Sequence, residues 1–437
     1  MAIALAKCKE VSPARAAAFS ILQQVETGAF SSVLLAAAEP KLASVDRALC
    51  HELVLGVLRW QLLLDKIVEH FLKRRVESLD APVRIALRLG LYQLRFLNRI
   101  PASAAVNESV SLVRRARLSS ATAFVNAVLR RAIREADYDP AAEVSDPLEK
   151  IAVQTSHPVW LIERWAKAFG IEEAESFARA NNVVPPTAFR VVRNRADQDE
   201  VLARLRAASA IVEKSQVVED AWRVRGATSL IRELSAAGQI YLQDEASQLV
   251  AQVMDVKPGE RVLDLCAAPG GKTTLMADRA GDRATIVAAD RSETRMATVI
   301  ATTRLQQLKG IRPALLDAVE TLPFRAGSFD KVLVDAPCSG TGTLRRNPEI
   351  RWRLAETDMA AFAEVQKKVL GHAVEAVKPG GQLVYSTCSV EREENEEATE
   401  EIRERGFRVV DTKRTWPHVH DTDGFFIVHL ANHVNPV

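Results

Sequence analysis

The sequence predicts a multidomain protein with an all-α N-terminal domain, a small α+β middle domain and a C-terminal α/β domain built on a Rossmann-like sheet. Three observations lead to this fold class. Apolar residues recur at helical spacing over the first part of the chain, prolines and acidic residues then interrupt it, and after Tyr241 short apolar strands alternate with helical segments. We expect the three domains to span residues 1–138, 139–238 and 239–437.

The N-terminal domain should contain about five to seven helices. Ser12 and Pro13 are residue types preferred at a helix N-cap and at the first helical position, and Gly28 ends the helix that they open. Gly56 is a predicted site of close helix contact because it has no side chain. Prolines and serines separate the later periodic segments, which are Asp46–Arg75, Val83–Phe96, Ala104–Arg115 and Ala121–Arg134.

Charge is divided unevenly along the chain, although the net charge is only +2. Residues 1–135 contain 20 Lys and Arg against 11 Asp and Glu, whereas the remainder contains 38 against 45. A net charge of +9 on a helical domain favours a polyanionic partner, with nucleic acid as the first candidate, but a solvated basic surface would give the same composition. The basic residues cluster near predicted helix ends as Lys73-Arg74-Arg75, Arg114-Arg115-Arg117 and Arg130-Arg131-Arg134.

The middle domain is predicted from weaker signals. Asp137–Pro147 has the prolines and acidic residues of a linker, and Pro158–Phe169 has helical periodicity. Pro185-Pro186 breaks the chain before a predicted strand, Thr187–Val192, and a predicted helix, Asp199–Ala207. These signals indicate a small α+β domain.

The C-terminal domain is predicted to contain a doubly wound parallel sheet, which binds ligands at the carboxyl ends of its strands. Helical segments lie between the first three strands and before the fifth. Two later strands, Phe407–Val410 and Phe425–Leu430, should lie at one edge of the sheet. The five main strands are Arg261–Leu265, Thr285–Ala289, Arg312–Leu316, Lys331–Val334 and Gln382–Ser386.

Two of these strands lead to a cysteine. The stretch KVLVDAPCSGTG, from Lys331 to Gly342, places Asp335 and Cys338 on the loop that leaves one strand. The stretch QLVYSTCS places Cys388 after another. The Asp335 carboxyl group and the Cys338 thiol, three residues apart on one loop, can therefore face the same small pocket at the carboxyl end of the sheet.

The first strand of the domain runs into a loop of small residues, DLCAAPGGKT, from Asp264 to Thr273. Such a loop lets backbone N–H groups and a helix N-terminus approach the polar end of a ligand. It is not a Walker phosphate loop, because Cys266 stands where that motif needs glycine, and GxGxxG is absent. The next two strands are followed by Asp290 and Asp317, and an acid at the first of these positions typically binds the ribose of an adenosine-containing cofactor.

Composition argues against several classes of protein. No stretch predicts a signal peptide or a membrane span, so we expect a cytoplasmic protein without membrane association. The cysteines are scattered and form no CxxC pair, which argues against a disulfide framework and a metal site and predicts free thiols. They are Cys8, Cys50, Cys266, Cys338 and Cys388.

Several motifs together resemble the S-adenosylmethionine-dependent RNA 5-methylcytosine methyltransferases. They are CAAPGGKT, DAPCSGTG with its continuation LRRNPEIRW, and YSTCS with a following ENEE. Residues 46–60 (DRALCHELVLGVLRW) and 124–131 (FVNAVLRR) also resemble the NusB-like domain that marks the bacterial RsmB (Fmu/Sun) branch. The resemblance covers nearly the whole chain and implies a NusB-like RNA-binding domain followed by a Rossmann-like methyltransferase domain.

The resemblance implies methyl transfer from S-adenosylmethionine to C5 of one cytosine of 16S ribosomal RNA, C967. The expected partner is 16S rRNA, free or in an early small-subunit assembly intermediate, and the protein is expected to act as a monomer. Asp290 would contact the cofactor ribose, Asp317 the adenine side, and Asp335 both cofactor and base. Lys272 could face the base instead of the cofactor. The residues implied for the cofactor's methionine and ribose part are Cys266, Ala267, Ala268, Pro269, Gly270, Gly271 and Lys272.

The spacing of the cysteines does not decide which of them attacks the base. In DNA cytosine methyltransferases the nucleophile follows a proline, which by analogy favours Cys338. The RNA family resemblance implies the opposite assignment, with Cys388 as the nucleophile and Cys338 assisting release of the product, and we adopt that assignment. Asp335 is the expected donor or acid at the N3 edge of the cytosine.

A basic and aromatic cluster after the Cys338 loop is expected to contact unstacked RNA, with a solvated helix surface as the alternative. Two other functions stay open at this point. One is a transfer RNA cytosine-C5 methyltransferase, and the other is a non-catalytic RNA-binding or antitermination factor. The cluster consists of Arg345, Arg346, Arg351, Trp352 and Arg353.

Overall fold

The computed structural model describes residues 11–433, which form two compact units. Unit 1 contains the chain up to Val183 together with Leu344–Arg353. Unit 2 contains Val184–Thr343 and the chain from Leu354 onwards. The domain bounds 1–138, 139–238 and 239–437 divide the chain differently and stay a prediction.

Unit 1 is helical in its described part. The helix predicted from Asp46 to Arg75 is two helices that meet at Trp60. Residues 11–138 contain seven α-helices, which agrees with the predicted number. The helices are α1 (Pro13–Glu26), α2 (Ser31–Ala38), α3 (Ser44–Arg59), α4 (Gln61–Leu72), α5 (Ala81–Phe96), α6 (Ala102–Arg115), α7 (Thr122–Arg134), α8 (Pro147–Thr155), α9 (Val159–Phe169), α10 (Ile171–Ala180) and, later in the chain, α16 (Ile350–Arg353).

Helix α5 lies at the centre of the N-terminal bundle. Leu87, Leu89 and Leu91 are fully buried although they point in different directions around the helix, as expected for a helix surrounded by others. Gly56 of α3 lies against the ring of Tyr92, where a Cβ atom would come within 2.0 Å of ring carbon Cζ. Glycine at this position therefore sets the close approach of α3 and α5.

Unit 2 begins with a small antiparallel sheet in the order β2-β3-β1-β4, with two helices beside it. Its members are β1 (Thr187–Val191), α11 (Gln198–Ala207), β2 (Ile211–Lys214), β3 (Ala221–Arg225), α12 (Thr228–Ala236) and β4 (Ile240–Leu242). This is the predicted small α+β domain.

The larger sheet of unit 2 has seven strands in the order β10-β11-β9-β8-β5-β6-β7. Strands β7, β6, β5, β8 and β9 are parallel, and the two late strands add an antiparallel edge. The predicted fold class is thereby confirmed. Its elements are α13 (Glu245–Met254), β5 (Arg261–Asp264), α14 (Gly271–Arg279), β6 (Thr285–Asp290), α15 (Glu293–Leu305), β7 (Ile311–Leu315), β8 (Phe329–Asp335), α17 (Asp358–Ala376), β9 (Val377–Thr387), α18 (Glu396–Glu404), β10 (Phe407–Thr415), α19 (Pro417–His420) and β11 (Phe425–Asn432).

A buried arginine links the small sheet to the helix that follows the small-residue loop. Arg190 of β1 donates to the hydroxyl of Thr274 at 2.9 Å and lies 3.8 Å from the Asp278 carboxylate, both on α14. Burial lowers the pKa of Arg190 to about 10, still far above neutral pH. The charged side chain therefore fixes α14, and with it the loop at its N-terminus, against β1.

The basic and aromatic cluster that we expected to contact RNA belongs to unit 1. For its two buried members, Arg345 and Arg351, that expectation was wrong. Arg345 and Arg351 are only 1% and 0% exposed. Arg351 donates to the Ser156 carbonyl at 3.1 Å and to the Asn182 side chain at 3.0 Å. The indole N–H of Trp352 donates to the Leu58 carbonyl at 2.7 Å. Arg351 and Trp352 therefore hydrogen-bond to groups within unit 1.

Within residues 11–433 no helix is long and apolar enough to span a membrane. The same residues contain no cluster of three His, Cys, Asp or Glu side chains suited to a metal ion.

We expect Arg351→Ala to lower the free energy of unfolding by about 3 kcal/mol, because it leaves several buried acceptors without a donor. Urea and thermal denaturation measure the change. Arg74→Ala, at an exposed position of the same unit, is the matched control and should change stability little. A loss of RNA affinity by Arg351→Ala at unchanged stability would contradict the structural role.

Candidate active site

The two strand-end thiols meet at the carboxyl ends of β8 and β9. The Sγ atoms of Cys338 and Cys388 lie 3.3 Å apart, and both residues are partly exposed. The Gly342 amide donates to the Cys388 carbonyl at 2.9 Å and so ties the two cysteine loops together. A Cβ atom at Gly342 would come within 2.0 Å of the Gly424 carbonyl oxygen, so this close packing requires glycine.

An ion pair lies at the end of the same two strands. Lys272 Nζ is 2.7 Å from Asp335 Oδ2, and the Ser386 hydroxyl donates to Asp335 Oδ1 at 2.8 Å. The Lys272 ammonium also lies 5.3 Å from the centre of the Phe425 ring. Asp335 is thus held through both of its carboxylate oxygens. Lys272, at the end of the small-residue loop, extends toward the cysteines.

The surroundings of Cys338 and Lys272 shift the pKa of each group. The hydrogen bond with Cys388, followed by burial, raises the pKa of Cys338 well above its ordinary value, so Cys338 keeps its proton at neutral pH. Burial by itself would lower the pKa of Lys272, but the Asp335 carboxylate outweighs burial and raises it. Lys272 is therefore a cationic donor.

The small-residue loop lines a cavity of about 170 Å³. Gly270 adopts a positive φ of 101° as the N-cap of α14, which favours glycine at this turn. Gly270, Asp290 and Asp317 are not among the lining residues. The residues predicted for cofactor binding that do line the cavity are Cys266, Ala267, Ala268, Pro269, Gly271, Lys272 and Asp335.

Four further cavity residues were missed by the sequence analysis: Tyr241, Leu242, Gln243 and Ser247. They belong to β4, α13 and the turn between them, which lack a recognisable motif. Asp264 also lines the cavity and was read only as the end of a strand. Its Oδ2 accepts from Thr273 at 2.6 Å, whereas its buried Oδ1 has no hydrogen-bond partner in the described chain, and burial raises its pKa to about 7.

The two remaining predicted acids have different surroundings. The buried Asp290 carboxylate accepts the Ser292 amide at 2.9 Å and the Ala268 amide at 3.3 Å, so it braces the small-residue loop. Asp317 is exposed and accepts the Val319 amide at 3.0 Å. Their predicted contacts with ribose and adenine stay predictions.

The remaining cysteines are separate from the reactive pair. Burial raises the pKa of the Cys266 thiol. Cys50 is buried in unit 1, and burial raises the pKa of its thiol to about 11. Both thiols are free, as are those of Cys338 and Cys388, whereas Cys8 lies outside the described residues.

Three family descriptions match the sequence. Residues 12–134 match the NusB family, and residues 157–230 match the ferredoxin-like domain of RsmF/B-like methyltransferases. Residues 251–431, which contain Cys338, Cys388 and the small-residue loop, match 16S rRNA methyltransferase RsmB/F.

Similarity to individual proteins extends over nearly the full length. The chain is 33% identical over 432 residues to the probable ribosomal RNA small subunit methyltransferase B of Bacillus subtilis strain 168, covering 93% of this chain and 96% of that protein. It is 36% identical over 394 residues to ribosomal RNA small subunit methyltransferase B of Pseudomonas putida, covering 89% and 88%. The crystal structure of PH0851 matches at a TM-score of 0.84 and 28% identity, covering 96% and 99% of the two chains. The chain therefore belongs to the RsmB/F family of 16S ribosomal RNA methyltransferases.

Proposed function

We propose that this methyltransferase modifies C5 of a single cytosine of 16S rRNA, C967, through a covalent bond between Cys388 and C6 of the base. The observation that carries the proposal is the pair of thiols 3.3 Å apart beside the Lys272–Asp335 ion pair. The cytosine must be unpaired or flipped out of its helix to reach them.

The reaction explains why a thiol is required. C5 of cytosine is a poor nucleophile until a thiolate adds to C6, which turns C5 into the carbon of an enamine. An ordinary thiol with a pKa of about 8.5 is a few per cent ionised at neutral pH, so a lower pKa could gain at most about 30-fold, or about 2 kcal/mol. Most of the acceleration must therefore come from orientation and from charge stabilisation.

Lys272 and Asp335 are suited to stabilise that charge. As the thiolate adds to C6, negative charge develops toward N3 and O2 of the cytosine, where an ammonium donor is most useful. We assign this donor role to Lys272, which the Asp335 carboxylate keeps cationic. The donor role expected of Asp335 at N3 would require a protonated carboxyl group and stays a prediction. The fixed Asp335 carboxylate can accept a hydrogen bond from the exocyclic amine, which distinguishes cytosine from uracil.

Cys338 is placed to assist release. After methyl transfer a base must take the C5 proton while the bond between Cys388 and C6 breaks. The pKa of Cys338 is raised chiefly by its hydrogen bond with Cys388. That cause disappears once the Cys388 sulfur is bonded to carbon. Cys338 can then release its own proton to solvent and, as the thiolate, accept the proton from C5 while the bond between Cys388 and C6 breaks.

The cavity fits the amino acid end of S-adenosylmethionine, the methyl donor of this family of methyltransferases. The unpartnered Asp264 Oδ1 and Gln243 Oε1 are acceptors for an ammonium group. A Cβ atom at Gly271 would lie 3.1 Å from the Tyr241 ring, so glycine keeps the cavity open at the N-terminus of α14, where N–H groups suit a carboxylate. When bound, the cofactor supplies an electrophilic methyl group.

The N-terminal domain is the proposed RNA-docking part of the molecule. Eight of the nine clustered basic residues are exposed, and Arg131 is the exception. Long cationic side chains near helix ends suit phosphate contacts, which would position the RNA without reading its sequence. We propose that the protein acts as a monomer in the cytoplasm, where 16S rRNA, free or in an early assembly intermediate, is its substrate.

We expect Cys388→Ala to abolish methylation of deproteinised 16S rRNA, since no other described thiol lies beside Cys338. Cys338→Ala should accumulate a covalent protein–RNA species, because attack proceeds and release fails. Tritiated S-adenosylmethionine and denaturing gels measure both, with Cys50→Ala as the thiol control. The opposite pattern would exchange the two roles, and labelling of transfer RNA in place of 16S rRNA would contradict the proposed substrate.

The affinity for S-adenosylmethionine should depend on pH through Asp264. Its carboxylate, with a pKa of about 7, binds an ammonium group only when deprotonated, so affinity is retained above that pH and lost as pH falls below it. Calorimetry should show Kd rising about tenfold per pH unit in the acid range. Asp264→Asn should bind weakly with a flat pH profile. A flat profile for the wild type would contradict this assignment.

Replacing Lys73, Arg74 and Arg75 together by alanine should raise KM for RNA while kcat stays unchanged, because the cluster is exposed and binds phosphates only. The slope of the logarithm of RNA affinity against the logarithm of salt concentration should decrease in magnitude by about two. Filter binding at several salt concentrations measures it. An unchanged slope would exclude this cluster from the RNA interface.

A further inference from the structure

A buried polar dipeptide, Glu394-Asn395, contacts both cysteine loops of the site. Both residues are 0% exposed, and both lie just before α18, outside the cofactor cavity. In the sequence they belong to the ENEE run that follows YSTCS. Buried polar side chains of this kind are expensive unless all their bonds serve the fold or the site.

Glu394 binds the residue that follows Cys338. Its Oε1 accepts the Ser339 amide at 2.7 Å, and its Oε2 accepts the Ser339 hydroxyl at 2.6 Å. Gln366 donates to the Pro337 carbonyl at 2.9 Å, on the other side of the cysteine. The backbone on both sides of Cys338 is therefore held by buried side chains.

Asn395 binds the residues on either side of Cys388. Its Nδ2 donates to the Ser389 carbonyl at 3.0 Å, and its Oδ1 accepts the Thr387 hydroxyl at 2.5 Å. Two consecutive side chains thus bind two different loops. The loops also contact each other, because the hydroxyls of Ser339 and Ser389 lie 3.1 Å apart.

The dipeptide is itself anchored to β9. The Tyr385 hydroxyl donates to the Glu394 carbonyl at 2.5 Å, and Tyr385 is fully buried. Since β9 also leads to Cys388, the strand that carries one thiol fixes the residues that position both.

We propose that Glu394 and Asn395 are positioning residues with divided roles: Glu394 fixes Cys338 for product release, and Asn395 fixes Cys388 for attack on the base. The inference rests on the proposed function. A displacement of about 1 Å at a reacting atom is enough to cost on the order of 100-fold in rate. Loss of either side chain should therefore affect the step of the cysteine that it fixes.

The Glu394 carboxylate also acts on the pKa of Cys338. Together with the hydrogen bond from Cys388 and with burial, the Glu394 carboxylate raises the pKa of Cys338. Burial raises the pKa of Glu394 itself, while its bonds with Ser339 and Ser389 oppose that rise. The groups that act on Cys338 are Cys388, Glu394 and Asp335.

The test compares Glu394→Ala with Asn395→Ala, two truncations of neighbouring buried side chains. Single-turnover methyl transfer to 16S rRNA and decay of the covalent adduct are measured separately, alongside thermal stability and S-adenosylmethionine affinity. Glu394→Ala should slow adduct decay at least tenfold while methyl transfer stays within about threefold of wild type. Asn395→Ala should slow methyl transfer at least tenfold and accumulate no adduct. Cofactor affinity should change in neither, and Glu400→Ala, an exposed carboxylate of α18, should match wild type.

Glu394→Gln keeps an acceptor for the Ser339 amide, so the covalent adduct should decay faster in this variant than in Glu394→Ala. This conservative variant also provides the test if Glu394→Ala does not fold. Equal losses in both steps by both truncations, or no loss in either, would overturn the inference. If wild-type protein forms neither 5-methylcytosine nor an adduct, the proposed function fails instead, so the two failures are distinguishable.

Discussion

Parallel pairing of β8 with β9 is the constraint on which the site depends. Asp335 lies opposite Ser386 in the register of these strands, and the two side chains hydrogen-bond at 2.8 Å. The thiols follow within a few residues of that pair and meet at 3.3 Å. A slip of two residues would displace one thiol by roughly 6–7 Å, about twice their separation, and would dismantle the site.

The site concentrates buried polar groups that a stable core would avoid. Asp264 ends β5, Lys272 lies in the first turn of α14 and Glu394 lies just before α18, and in both carboxyls burial raises the pKa. Glu394 is compensated by bonds to Ser339, and Lys272 by Asp335. Asp264 Oδ1 is left without a partner in the described chain, which is the kind of cost that proteins retain where a ligand binds.

Local sequence predicted the fold class and the residues at strand ends, because hydrophobic periodicity and small-residue loops are local signals. It could not predict that Arg351 is buried among backbone carbonyls. An arginine beside a tryptophan has the same local pattern whether it binds RNA or caps buried acceptors, and only the tertiary structure distinguishes the two. Tyr241 and Gln243 were missed for a similar reason, since they reach the cavity from a turn that carries no motif.

Glu394 is another residue whose burial the local sequence did not predict. Its neighbours along the chain are mostly acidic, which is typical of a solvated helix, yet its carboxylate is fully buried against Ser339. Partners separated by 55 residues cannot be read from composition. An acidic run in a sequence therefore predicts an exposed surface, but it does not show which of its residues are buried by hydrogen bonds to distant parts of the chain.

The central claim is that Cys388 forms the bond with the base. The most direct test is mass spectrometry of the complex formed with 16S rRNA that contains 5-fluorocytidine, in which fluorine at C5 prevents loss of a proton and traps the adduct. The account predicts a nucleotide attached to the peptide that contains Cys388. Attachment to the peptide that contains Cys338 would contradict it. It would also be contradicted if the RNA that contains 5-fluorocytidine formed no adduct although the same RNA without fluorine is methylated normally.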